Sequence, residues 1–114
     1  MIDQVRPSDL QAWFAQKDAD AQPVLLDVRE PWERQTASVS PDGCTLLAIP
    51  MHEIPARLAE LDADRQRIAC LCHHGGRSQQ VALFLQHHGF AQVANVAGGI
   101  DAWSLTLDPA VPRY

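Results

Sequence analysis

The chain has 114 residues, 46% of them hydrophobic and 20% charged, which supports one folded domain over residues 1–114 and excludes a disordered segment. A formal net charge of −5, with Lys17 the one lysine and no basic run, excludes extended nucleic-acid binding, since phosphate contacts need clustered Lys and Arg. No apolar run reaches membrane-spanning length, and Met1-Ile2-Asp3-Gln4-Val5-Arg6 lacks a basic start leading into an apolar stretch.

Pro7-Ser8-Asp9 predicts a helix start, with Leu10, Trp13 and Phe14 on one face. Val24-Leu25-Leu26-Asp27-Val28 reads as a short strand ending at polar Arg29-Glu30-Pro31, and Leu46-Leu47-Ala48-Ile49 as a second, stopped by Pro50. Ile54, Leu58 and Leu61 recur at helical spacing and predict a helix ending near Asp62. Ile68-Ala69-Cys70-Leu71 is the next strand. The stretch from Ser78 to His88 is an amphipathic helix with Gly89 as its C-terminal cap. Val93-Ala94-Asn95-Val96 is another strand, and Gly98-Gly99 turns into a helix carrying Ile100 and Trp103. Fully apolar strands alternating with helices predict an α/β fold, a parallel sheet covered by helices on both faces. Ligands of such sheets sit beyond the carboxyl ends of the strands.

At that edge lies Cys72-His73-His74-Gly75-Gly76-Arg77-Ser78. A strand, a glycine-containing loop and a helix in succession place a thiol at the mouth of a ring of N–H groups, whose dipoles favour an anion. A thiolate or persulfide is such an anion, so Cys72 reads as a nucleophile rather than as a small buried hydrophobe. Arg77 either neutralises a bound anion or braces the loop against a carboxylate such as Asp27 or Glu33. Ser78 either caps the helix, the blander role, or donates to the sulfur. His73 and His74 are expected to be neutral and to face solvent. Zinc needs four convergent ligands, usually two pairs separated in sequence, and the second pair is missing, so no metal is assigned. Cys70 and Cys72, two apart on a strand, bridge poorly, which leaves Cys70 in the core. Three cysteines do not make a secreted disulfide framework, and a reducing cytoplasm suits the free thiol. Asp27, at a strand end, reads as a structural hydrogen-bonding group.

These residues resemble the rhodanese-like single-domain sulfurtransferases across nearly the whole chain. Leu26-Asp27-Val28-Arg29-Glu30-Pro31-Trp32-Glu33 is similar to the family's first signature, Ile49-Pro50-Met51 to the segment after its third strand, and Cys72 to Ser78 to its active-site loop. Asn95-Val96-Ala97-Gly98-Gly99-Ile100-Asp101-Ala102-Trp103 is similar to its C-terminal signature, and Asp108 to Tyr114 to tails of one bacterial branch. The resemblance implies a five-stranded parallel sheet and a two-step sulfur transfer needing no cofactor. Cys72 would attack a donor such as thiosulfate, hold the sulfur as a persulfide, and pass it to cyanide or a cellular thiol. The backbone of His73, His74, Gly75, Gly76, Arg77 and Ser78 would cradle the anion, while Asp27 and Arg29 give structural support. A sulfur-donating or sulfur-accepting protein is a further partner the resemblance implies. Six residues from Cys72 to Arg77 match the loop length of sulfur transfer, and the related phosphatases and arsenate reductases carry one more. The alternative is a non-catalytic regulatory or sulfur-relay module on the same fold. Residues 37–44 depart from the family's glycine-histidine segment, which leaves that loop's conformation open.

Overall fold

Strands that are apolar on both faces need cover on both. The computed structural model of the protein, which describes residues 2–16 and 21–114, supplies that cover. Strands β1 (Asp3–Val5), β2 (Gln22–Asp27), β3 (Thr45–Ala48), β4 (Gln66–Leu71) and β5 (Val93–Val96) form one parallel sheet in the order β1-β5-β4-β2-β3. Helices α1 (Leu10–Ala15), α2 (Pro31–Thr36), α3 (Gly76–His87) and α4 (Gly99–Thr106) lie between and after the strands. Strand alternation divides the interior in two. Val24, Leu26, Ile68 and Cys70 pack with Val81, Ala82 and Leu85 of α3. Leu25, Ala69, Leu71, Ala94 and Val96 pack with Leu10 and Trp13 of α1 and Ile100 and Trp103 of α4. The expected architecture, a five-stranded parallel sheet with helices on both faces, is the observed one.

Two elements differ from the sequence expectation. β1 has no counterpart in the apolar pattern because it is a three-residue edge strand with two exposed polar residues, paired only to β5. The helix expected over Ile54, Leu58 and Leu61 is instead a run of turns flanked by 3-10 segments at Met51–Glu53 and Leu58–Glu60. Pro55 lies inside that run and lacks the N–H that a continuing helix requires. The apolar stripe still does its work, since Ile54 and Leu61 are buried and Leu58 packs against the same core.

The segments leaving β4 and β5 position the site. These strands are neighbours, yet α3 leaves β4 toward one face and α4 leaves β5 toward the other. Their carboxyl ends therefore open into the crevice where such sheets bind ligands. α3 stops in a Schellman arrangement: Phe90 N–H donates to Leu85 O at 3.1 Å and Gly89 N–H to Gln86 O at 3.2 Å, with Phe90 and Leu85 both in the core. Gly89 has φ +90° and open space where a Cβ would stand. Gly89→Ala is therefore expected to cost about 1–2 kcal/mol through backbone conformation alone. Urea denaturation measures it, and an unchanged midpoint would refute the left-handed cap.

Candidate active site

Cys72 comes directly after β4 and its side chain continues the face of Ile68 and Cys70, so the residue is only 1% exposed. The sulfur thus sits on the floor of the loop rather than at its mouth, a correction to the sequence expectation. Strand alternation decided the outcome, because a residue two past Cys70 still points into the same core. Two donors nevertheless reach the sulfur. Gly75 N–H lies 3.1 Å from Sγ and Ser78 Oγ 3.2 Å from it. The Cys44 and Cys70 thiols are pushed up by burial, with a backbone hydrogen bond at Leu25 working the other way on Cys44.

Gly75 N–H is the loop amide that reaches the sulfur, and the carbonyls of Cys72, His73 and Gly75 are held by bonds elsewhere. Ile100 N–H donates to Cys72 O at 2.9 Å and Asp101 N–H to His73 O at 3.1 Å. Both donors belong to the first turn of α4, where helix N–H groups have no partner within the helix. The close approach requires Gly99, since a Cβ there would lie 2.4 Å from both of those carbonyl oxygens. Asn95 of β5 completes the support. Its Nδ2 donates to Gly75 O at 3.1 Å and to Gln4 Oε1 at 2.9 Å, leaving Oδ1 to accept the Ser78 hydroxyl. That hydroxyl has one proton and two claimants, Asn95 Oδ1 and Cys72 Sγ, so it is able to follow the charge on sulfur.

A second network braces the loop from the side. Arg77 donates from both terminal nitrogens to Glu33, at 2.6 and 2.8 Å. Glu33, 3% exposed, also accepts from Glu30 N–H at 3.0 Å and from the Tyr114 hydroxyl at 2.7 Å. The hydrogen bonds from Arg77, aided by those from Tyr114 and Glu30, outweigh burial and hold the Glu33 carboxyl down at about 2. Arg29, fully buried, donates to Asp27 at 2.9 and 2.7 Å and to the Tyr114 hydroxyl at 3.0 Å. The Tyr114 ring stacks on His73 at 4.0 Å, His73 stacks on His74 at 3.9 Å, and Trp32 meets Tyr114 edge-on at 6.2 Å.

With this geometry established, similarity to known proteins decides the family. The Rhodanese-like domain family matches residues 8–106. The chain belongs to the rhodanese-like sulfurtransferase family. A sulfurtransferase of Allochromatium vinosum is 40% identical over 92 residues, covering 80% of this chain and 81% of the relative. The chloroplastic Rhodanese-like/PpiC domain-containing protein 12 of Arabidopsis thaliana is 39% identical over 94 residues, 79% of this chain but 30% of that longer protein. Among solved structures, a rhodanese-related protein from Thermoplasma volcanium superposes with a TM-score of 0.76 at 28% identity, covering 98% of this chain and 99% of its own.

Cys72 to Ser78 form the loop itself, and Asp27 and Arg29 connect to it only through Tyr114 and Glu33. Arg77 takes the bracing alternative and its partner is Glu33, while Asp27 serves Arg29. Ser78 does not cap α3, which begins with Gly75 at its N-cap and no side-chain bond there; its hydroxyl turns to Cys72 and Asn95 instead. His73 is half-buried rather than fully facing solvent: packed between Tyr114 and His74, it has a buried Nε2 with no hydrogen-bond partner, and burial lowers its pKa. His74 is the exposed one. His73, His74 and Asp101 bring ligand atoms within 4.8 Å of one another, and the same Asp101 carboxylate already accepts from Arg113 at 2.8 Å. In the 37–44 segment, Ala37 and Val39 are buried against the second core. No helix among the described residues is long and apolar enough to cross a membrane. Asn95 and Tyr114 lay outside the sequence reading of the site. A polar residue inside the otherwise apolar β5 was a usable signal for Asn95, whereas nothing local marks Tyr114.

The Glu33 pKa makes a pH prediction. Because it falls from 4.5 to about 2 on folding, Glu33 contributes stability that is complete above the unfolded value and lost as pH drops through the folded one. Urea midpoints measured from about pH 5 down to about pH 2.5 are expected to fall less steeply in Glu33→Gln than in the wild type. Parallel slopes would contradict the assignment.

Proposed function

We propose that the protein transfers sulfane sulfur through a persulfide on Cys72. The reading is carried by one observation: Cys72 Sγ receives hydrogen bonds from Gly75 N–H and the Ser78 hydroxyl, at the floor of a loop whose first two carbonyls are tied to α4. Membership in a sulfurtransferase family supports the reaction class.

In the first half-reaction Cys72 thiolate attacks the outer sulfur of a donor. With thiosulfate, the sulfur–sulfur bond of the donor breaks, sulfite leaves with the bonding pair, and Cys72 becomes an anionic persulfide. In the second, an acceptor nucleophile attacks the outer sulfur of that persulfide. Cyanide leaves as thiocyanate, a thiol becomes a persulfide, and Cys72 thiolate returns. Charge stays on sulfur throughout, so the loop needs only fixed donors in place before the reaction, which is the condition for electrostatic stabilisation without reorganisation. In this reading the N–H groups from Gly75 to Ser78 would cradle the terminal sulfur, with the Gly75 N–H already bonded to Sγ and the Ser78 proton following the charge. Splitting the transfer across a covalent intermediate gives ping-pong kinetics. A reducing cytoplasm, which keeps thiols free, suits the cycle.

Intact mass after incubation with a sulfane sulfur donor is expected to show one added sulfur, removed by cyanide with thiocyanate as product. Cys72→Ser should abolish both signals although Cys44 and Cys70 remain. An adduct of the same size in Cys72→Ser, or none in the wild type with any donor, would overturn the assignment.

A further inference from the structure

The loop from Cys72 to Ser78 holds one fixed cation, Arg77, and its charge is already spent. Both terminal nitrogens of Arg77 sit on Glu33, whose two oxygens each accept a second bond, Oε1 from Glu30 N–H and Oε2 from Tyr114. Turning Arg77 toward a bound anion would leave a buried carboxylate uncompensated, which is strongly unfavourable. Arg29 is bound in the same way, bidentate to Asp27 and fully buried. Thiosulfate brings two negative charges and three sulfonate oxygens to a thiolate and releases sulfite, a dianion, so its approach is the one that gains most from cationic partners, which this site has neutralised. An organic persulfide places a carbon-bearing sulfur where thiosulfate carries its sulfonate group. The side chains beside the loop are aromatic: His74, His73 and Tyr114 in one stack, with Trp32, 61% exposed, against its end.

We propose that Glu33, by holding Arg77 away from the sulfur, sets the donor class of this site, so that it takes its sulfur from an organic persulfide rather than from thiosulfate. The proposal rests on the Cys72 reading. The step is balanced: Cys72 thiolate bonds to the outer sulfur of R–S–SH, the sulfur–sulfur bond of the donor breaks, and R–S⁻ departs with the bonding pair. The proton of the donor stays on the new persulfide or passes to the departing thiolate, and no oxidant or reductant enters. Glu33 acts through Arg77 and is a specificity-determining positioning residue.

Rates of Cys72 sulfuration by thiosulfate and by 2-hydroxyethyl persulfide, read by rapid quench and intact mass, test this in the wild type and in Glu33→Gln. Intrinsic donor reactivity cancels in the comparison between the two proteins. Glu33→Gln keeps the side-chain shape and frees the Arg77 charge, so the thiosulfate-to-persulfide ratio of kcat/KM is expected to rise at least tenfold, chiefly through a lower KM for thiosulfate. A merely structural role would depress both donors together. The wild type alone supplies a second measurement, independent of whether the variant folds. Raising inert salt from about 0.05 to about 0.5 M should speed the thiosulfate reaction, because screening relieves repulsion. A thiosulfate rate that falls with salt, or a donor ratio unchanged in Glu33→Gln, overturns the proposal while leaving the Cys72 persulfide intact. Absence of any adduct from either donor removes both.

Discussion

Two hydrogen bonds from the first turn of α4 to the carbonyls of Cys72 and His73 hold the active loop in its shape. A short loop has as many carbonyls as N–H groups, and left alone it would offer an anion both signs of dipole. By taking the first two carbonyls, α4 satisfies its own unpartnered N–H groups and leaves Gly75 N–H and the Ser78 hydroxyl as the donors at the sulfur. The contact exists only because Gly99 has no Cβ, which would stand 2.4 Å from both carbonyl oxygens. The segment from Asn95 to Trp103 therefore shapes the candidate site as much as the cysteine loop does. Asn95 extends the arrangement by tying Gly75 O to β5 and by orienting Ser78.

Charge is handled on the opposite side of the loop. Asp27, Arg29, Tyr114, Glu33 and Arg77 form a continuous chain of hydrogen bonds from the end of β2 to the start of α3. Each arginine faces its carboxylate with two nitrogens, the geometry in which a guanidinium is least free to leave. The network fixes the loop without giving it net charge, so the affinity for an anionic sulfur has to come from backbone dipoles and a hydroxyl.

Much of this was legible in the sequence, for physical reasons that differ by residue. The central strands were readable because burial on both faces makes them uniformly apolar, and the loop from Cys72 to Ser78 was readable because glycines and a helix come after a strand. β1 escaped because an edge strand of three residues has neither length nor pattern. The turns around Pro55 carried a helical stripe on mostly 3-10 bonds rather than a continuous α-helical ladder, since spacing reports which side chains are buried and not how the backbone is bonded. The partner of Arg77 stayed open between Asp27 and Glu33 because both belong to one signature, and only the fold shows that Arg29 occupies the first. Tyr114 was invisible as a site residue: its contacts with His73 and Glu33 span 41 and 81 positions of chain, beyond any local rule.

The central claim is that the loop from Gly75 to Ser78 presents its donors to a sulfur anion held on Cys72. A crystal structure of the sulfurated protein tests it most directly. The account predicts density for a second sulfur bonded to Cys72 Sγ, within hydrogen-bonding distance of the loop N–H groups, with the α4 contacts to Cys72 O and His73 O intact. Density placing that sulfur outside the loop, or on Cys44 or Cys70, would contradict it.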